Sequence, residues 1–254
     1  GLVGSEMCIR DSPKGLMEYI STCKREFKPQ TKFQYSCLNY ITLQHIIETI
    51  TGQSLRDFAK ENIFDILGMQ YTDYLPTIQQ QDGKWINTVA CPWMDRIAPT
   101  EKQKDGSVLC GQVHDPLARI LNGGISGNAG IFSNANDIGI LAAALLNGGE
   151  YNGRRILSPL GVKTMCTVPR ELTAFGRTPG WDIFSPYASN KGDLFSPNTF
   201  GHTGYTGTSI IIDPDNDTAV ILLVNVVHPE DRHSIVRLRS LVANAVAASI
   251  CPPA

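Results

Sequence analysis

Apolar positions along the chain change period several times, and each change marks an element. From residue 40 to 51, Leu43, Ile46, Ile47 and Ile50 fall at i, i+3, i+4 and i+7, one face of an α-helix, and Gly52 supplies a left-handed stop. A second helix follows after a very short turn. Ser54 with Asp57 makes its N-cap and near-capping box, Leu55, Phe58, Ala59, Ile63 and Ile66 form its inward face, and Gly68 ends it. Between residues 71 and 121 the pattern breaks up around Pro76, Pro92, Pro99 and Pro116, which predicts long irregular surface loops of the kind that often carry function. Asn134 and Asp137 then cap a third helix through Ile138, Leu141, Ala142 and Leu145, and Ser158-Pro159 opens a short fourth.

Past a stretch rich in Pro, Gly and aromatics at residues 179–200, the period drops to two. Residues 208–212 and 218–224 are β-branched runs separated by Asp213-Pro214-Asp215-Asn216-Asp217, a strand, turn, strand signal. A last helix is predicted over residues 231–248, with Ile235, Leu238, Leu241, Val242 and Ala245 on one face. Helices first, then a hairpin and a closing helix, give an α+β class. The organisation expected is a mainly helical region with long loops over 13–195 and a strand hairpin with a C-terminal helix over 196–254.

Residues 1–12 follow neither period. GLVGSEMCIRDS resembles the translation of a sequencing-adapter read, so we expect a non-native leader, with the natural protein entering near Pro13 and its own start missing. No charged start followed by an apolar core and cleavage site is visible.

Composition removes several classes. The 254 residues carry 22 Lys+Arg against 24 Asp+Glu, a formal charge of −2, so no basic footprint for nucleic acid or an anionic membrane is expected. The longest apolar stretches, 138–146 and 219–224, fall short of the roughly 18 residues a spanning helix needs. Seven cysteines are an odd number with no C-x-x-C spacing, which argues against zinc ribbons and a complete disulfide framework; most are expected to be small buried hydrophobes. His114, Asp115, His228 and His233 match no helical metal-ligand spacing, and the glycines of Gly124 to Gly130 lack the preceding strand and following Lys of a phosphate loop, so positive-φ turns explain them better. No cofactor or metal is called for.

Two segments remain that could carry chemistry: Tyr35-Ser36-Cys37-Leu38-Asn39, just before the first helix, and Gly201-His202-Thr203-Gly204-Tyr205-Thr206-Gly207, just before the hairpin. The run FQYSCLNYITLQHIIETITGQSLRDFAKENIFDILGM resembles the Tyr-x-Asn region of the serine β-lactamase and penicillin-binding family, which includes class C β-lactamases, DD-peptidases and related esterases. GHTGYTGTSIIIDPDNDTAVILLVN is similar to that family's Lys/His-Thr/Ser-Gly strand, and GGISGNAGIFSNANDIGILAAALLNGG to its Gly-rich loop and following helix. The likeness runs in the right order over residues 29–246.

The resemblance implies a β-lactamase/transpeptidase-like fold: an antiparallel sheet flanked by helices plus a mainly helical region, here without the N-terminal strands and nucleophile helix. It implies a serine hydrolase that acts through an acyl-enzyme on an ester, amide or peptide, its serine activated by a lysine in Ser-x-x-Lys and its oxyanion held by backbone N–H groups. The only Ser-x-x-Lys, Ser21 to Lys24, lies too close to Tyr35 and precedes no helical stripe, so it is read as a decoy and the nucleophile is placed outside the chain. Tyr35 matches the proton-relaying tyrosine and His202 the lysine or histidine of the strand motif. Thr203 would offer a hydroxyl to substrate, Gly204 would let substrate approach the strand, and Tyr205 would supply an oxyanion N–H. Cys37 stands where Asn is usual; a thiol cannot offer an amide's donor and acceptor, which shifts the expectation from β-lactam hydrolysis toward esterase or peptidase chemistry. A nucleophilic Cys37 paired with His202 has no other support. The alternative is a binding or sensor module of the same fold. Family likeness favours a periplasmic or extracellular place, the partner is a small-molecule or peptide substrate, and the oligomeric state is open.

Overall fold

The computed structural model describes residues 12–185, 191–231 and 234–250. In chain order its elements are α1 (Pro13–Thr22), α2 (Cys37–Thr51), α3 (Leu55–Ala59), a π turn (Lys60–Phe64), α4 (Asp65–Leu67), β1 (Asp73–Tyr74), β2 (Thr77–Gln79), β3 (Trp85–Asn87), β4 (Ile131–Phe132), α5 (Ala135–Leu146), β5 (Glu150–Tyr151), β6 (Arg154–Arg155), α6 (Pro159–Cys166), β7 (Phe200–Thr203), β8 (Ser209–Asp213), β9 (Thr218–Leu222) and α7 (Val236–Ser249). They fall into two compact units. The first comprises Gly1–Pro29, Gln34–Phe64 and Tyr71–Ser133; the second comprises Gln30–Phe33, Asp65–Gln70 and Asn134–Ala254. The expected leader lies outside the described residues except for Ser12, whose hydroxyl caps α1 by accepting from Gly15 N at 3.1 Å.

In the first unit, α2 begins three residues earlier than its apolar period suggests, because Ser36 is the N-cap: its backbone is extended and its Oγ accepts from Leu38 N at 3.2 Å. Gly52, at φ 69°, ends it as expected. The packed face differs from the predicted one. Ile41 and Gln44 are buried, whereas Leu43, Ile46 and Ile50 are exposed. Tertiary hydrogen bonds set this rotation. Gln44 donates to Ile125 O at 3.1 Å and accepts from Gly127 N at 3.0 Å, while a Cβ at Gly127 would lie 2.0 Å from Tyr40 O, so helix and loop backbone meet closely there. The Ser cap holds as expected at α3, where Ser54 Oγ accepts from Asp57 N at 3.1 Å.

The stretch expected as bare loop, 71–121, contains regular pieces. β2 and β3 form an antiparallel hairpin with Ile78 opposite Ile86, turned at Asp82-Gly83, and β1 pairs with β4. These strands are two or three residues long, too short to leave a period in the sequence. Arg56 pins β1 to α3 through a two-pronged contact with Asp73, at 2.8 Å from Nε and 2.6 Å from Nη2.

The second unit is built on a three-stranded antiparallel sheet, β7-β8-β9, in which Phe200 faces Ile212, His202 faces Ile210 and Ile211 faces Val220. Alternation sends successive residues to opposite faces. Phe200 and Ile212, with Ile210 and Ala219 beside them, pack with Ala142 and Leu145 of α5 and Val162 of α6, and Ile211 and Val220 pack with Ala243 of α7. A sheet with helices on both faces is thus what the β-branched hairpin builds. α7 starts at Val236 and turns Arg239 and Ala243 inward, leaving Leu238 and Leu241 exposed, a face rotated from the predicted one. None of the five cysteines described is buried below the surface layer, contrary to expectation: Cys23 and Cys110 are exposed, and Cys37, Cys91 and Cys166 half-buried, all free thiols.

Candidate functional site

The second unit carries the His202 segment. β7 ends at Thr203, and Gly204 N donates to Thr208 O at 2.8 Å while Gly207 N donates to Gly204 O at 3.1 Å, closing a tight turn into β8. A Cβ on Gly204 would lie 2.3 Å from Thr208 Oγ1, so a side chain here would require the Thr208 hydroxyl to turn away. Arg239 of α7, itself buried, secures the turn from beneath: its Nη2 donates to Gly204 O at 2.9 Å and to Thr208 O at 3.0 Å. Because the peptide unit is planar and trans, a Gly204 carbonyl drawn toward Arg239 turns the Tyr205 N–H the other way. The Tyr205 ring is exposed and its hydroxyl donates to Asp231 at 2.5 Å.

His202 is half-buried on the Phe200–Ile212 face of the sheet. Its Nδ1 lies 3.0 Å from Thr203 O and its Nε2 lies 3.3 Å from Arg177 Nη2. Arg177 also donates from Nη1 to Asp182 at 3.1 Å, and Asp182, almost wholly enclosed, accepts from Ser185 N at 3.0 Å and Ser185 Oγ at 2.6 Å. Asp182 and Gly201 exchange backbone hydrogen bonds of 3.0 Å in each direction, which fastens this segment to the free edge of β7. Burial lowers the His202 pKa from its ordinary value, and the Arg177 charge lowers it further against the opposing pull of the Thr203 carbonyl and Asp182. The titration near neutrality expected from an ordinary histidine therefore moves down. Lys191 donates to Thr199 O at 3.0 Å, and burial lowers its pKa despite the nearby charges of Asp182 and Asp213.

The first unit carries Tyr35 and Cys37. Tyr35 is half-buried in the extended segment leading into α2, one residue before the cap, and Cys37 is the first residue of the helix, also half-buried. The loop that carries α2's partner Gly127 is built around Ser126, fully enclosed, which accepts from Asn122 at 2.8 Å and donates to Asn128 at 2.6 Å. Gly124 and Gly130 have φ of 86° and 117°, as the turn reading expects. Ser21 and Lys24 do not share a helix face. α1 ends at Thr22, Ser21 donates to Glu18 O at 2.8 Å within its own helix, and both residues are exposed.

Thus His202, Thr203, Gly204 and Tyr205 form one continuous stretch of the second unit, while Tyr35 and Cys37 belong to the first. Arg177, Asp182 and Arg239 were not singled out by sequence reading. Each is a lone charge in an aperiodic loop or a helix interior, and only the fold reveals that it reaches the motif. Among the described residues no cluster of three His, Cys, Asp or Glu is arranged to hold a metal ion, no helix is long and apolar enough to cross a membrane, and His233 lies outside them.

A "Putative D-alanyl-D-alanine carboxypeptidase" of Escherichia coli K12 is 35% identical over 226 residues, covering 84% of this chain and 49% of that protein. The chain spans about half the length of the curated relatives it matches. Among solved structures, a penicillin-binding protein homologue from Caulobacter crescentus superposes with a TM-score of 0.62 at 17% identity, over 92% of this chain and 64% of that one. A hydrolase with promiscuous acyltransferase activity does so with a TM-score of 0.57 at 17% identity, over 91% and 61%. These two show the β-lactamase/transpeptidase-like fold. The beta-lactamase family model matches residues 6–244, nearly the whole chain, and with the His202-Thr203-Gly204 strand and the Tyr35 segment in their order this chain belongs to the beta-lactamase family.

Proposed function

We propose that this chain is part of a serine hydrolase that works through an acyl-enzyme on an ester, amide or peptide, with its nucleophile outside these 254 residues. The observation that carries the proposal is family membership joined to an intact His202-Thr203-Gly204 strand end, buttressed from both sides by Arg177 and Arg239. Three relations support it. The E. coli relative is named as a carboxypeptidase, one structural neighbour is a hydrolase with acyltransferase activity, and the one Ser-x-x-Lys of the chain is split across the end of α1.

In this reading Tyr35 moves protons to and from the serine and leaving group. His202, whose pKa burial and Arg177 lower, takes part as a hydrogen-bonding group at the end of β7 and not as a cation. Thr203 offers its hydroxyl to substrate and the Tyr205 N–H contributes to the oxyanion site. Cys37, in place of the usual Asn, removes an amide donor and acceptor and tilts the substrate from β-lactams toward simpler esters or peptides.

The test is covalent labelling. The 254-residue chain alone should leave a fluorescent fluorophosphonate unreacted, and the same chain extended by its native upstream coding sequence should be labelled at a serine three residues before a lysine. A folded, extended protein that takes up neither fluorophosphonate nor a fluorescent penicillin overturns the hydrolase reading in favour of a binding module of the same fold.

A further inference from the structure

We propose that Arg177 is a positioning residue that fixes His202 as its neutral, Nδ1-protonated tautomer, so that the positive charge beside the end of β7 resides on Arg177 and not on His202. The argument is one of hydrogen-bond roles. A guanidinium has donors and no acceptor, and a carbonyl oxygen only accepts. His202 sits between one of each, with Nδ1 3.0 Å from Thr203 O and Nε2 3.3 Å from Arg177 Nη2. One assignment alone satisfies both contacts: the proton lies on Nδ1 and is donated to Thr203 O, and the bare lone pair of Nε2 accepts from Arg177. The other neutral tautomer would set N–H against N–H and lone pair against lone pair. The imidazolium would keep the Thr203 contact and direct its second N–H at a guanidinium.

The lock holds because both partners are tied to the same ladder. Asp182 fixes the guanidinium through Nη1 at 3.1 Å, and the same Asp182 exchanges backbone hydrogen bonds with Gly201, the residue before His202. Thr178 tightens the intervening turn, its hydroxyl accepting from Trp181 N at 2.8 Å and its N–H donating to Trp181 O at 2.9 Å. Among the described residues, the charged groups acting on the imidazole are Arg177 and Asp182; on β8 the residue opposite is the uncharged Ile210.

The mechanistic consequence rests on the hydrolase reading: with Nδ1 given to Thr203 O and Nε2 to Arg177, a neutral His202 holds the strand end and the guanidinium in place and does not itself supply a cation. The tautomer itself does not depend on activity, so the test reads the ring directly. In the 15N-labelled 254-residue chain, two-bond proton–nitrogen correlation spectra, with His202 assigned by its loss in His202→Gln, should show at pH 7 a protonated Nδ1 and a bare Nε2, with a titration midpoint below the ordinary value of about 6.5. Arg177→Gln should raise that midpoint, though burial still holds it down, and populate both tautomers, and Arg177→Lys should return it downward. A wild-type ring protonated on Nε2, or an even mixture, overturns the proposal. So does an unchanged midpoint in an Arg177→Gln chain that melts like the wild type. Should Arg177→Gln fail to fold, the wild-type spectrum decides by itself, and absent probe labelling of the extended protein would leave that spectrum as it is.

Discussion

A carboxylate taken wholly out of water needs donors on every side, and Asp213, at the end of β8, has them. It accepts from Ser196 Oγ at 2.6 Å, Ser196 N at 2.9 Å, Asn216 Nδ2 at 2.7 Å and Asp215 N at 3.1 Å. Burial by itself would raise its pKa, but these donors together outweigh burial and hold it below the ordinary carboxylate value. The sign follows from linkage. A group whose folded pKa is depressed adds stability that is complete above its unfolded value of about 4 and is lost as pH falls through the lower folded value. Asp213→Asn should therefore lower stability at pH 7 by about 1–3 kcal/mol and lose part of the acid-side slope of the melting temperature; an unchanged slope would show that other carboxylates set it. His202 follows a parallel sign by a different route. Its depressed pKa means that stability and the neutral ring are both complete above about 6.5 and decline as pH falls toward the lower folded value. In the extended protein, His202→Ala should reduce acyl transfer on an activated ester by about 100-fold or more, with the wild-type rate level through neutrality and falling only in acid; equal rates for the two proteins would remove His202 from the relay.

Elements were legible in the sequence where a cap or a long period marks them and illegible where tertiary contacts choose the face. Ser54, Asn134 and Ser158 each accept from a backbone N–H at the start of a helix, because capping depends only on neighbours in the chain; the same device at Ser36 went unread because the apolar period there starts only at residue 40. The inward face is another matter. Along the segment that starts at α3, the expected buried set was Leu55, Phe58, Ala59, Ile63 and Ile66, but the residues enclosed are Leu55, Ala59, Phe64 and Leu67. The π turn at Lys60–Phe64 accounts for the slip: it adds one residue to a turn, so the face moves from Ile63 and Ile66 to the next residue along. A period of 3.6 cannot anticipate that insertion. Phase is measurable by truncation. Phe64→Ala should cost about 3–5 kcal/mol, the loss of a buried aromatic, whereas Ile63→Ala should cost well under half as much. Comparable losses on chemical denaturation would mean that the regular helical phase, and not the π turn, describes this segment.

Across the whole chain, order in the sequence tracked regularity in space. The β-branched runs announced the hairpin, while the helices flanking it were implied only by the family resemblance; in the structure alternation sends Ile210 and Ile212 one way and Ile211 the other, so both faces of β8 are covered. The short strands between residues 71 and 132 and the charges around His202 left no such mark, since pairings of two or three residues and single ion contacts are too short to set a period. The same contrast predicts how stability is distributed. β8 is hydrogen-bonded along both edges, to β7 and to β9, and its Ile211 and Ile212 are enclosed on opposite faces. Its amides can exchange only when the sheet of the second unit opens as a whole. β1, β4, β5 and β6 each hold a single partner over two residues, so local fraying releases them. Native-state hydrogen exchange should therefore find the slowest amides in Ile210 to Ile212 and exchange in the two-residue strands faster by orders of magnitude. Ile212→Ala, which empties a fully enclosed site and should cost about 2–5 kcal/mol, should accelerate exchange throughout β7, β8 and β9 together. If only the amides beside Ile212 respond, the three strands do not open as one cooperative unit, and the sheet that carries His202 is held by local contacts instead.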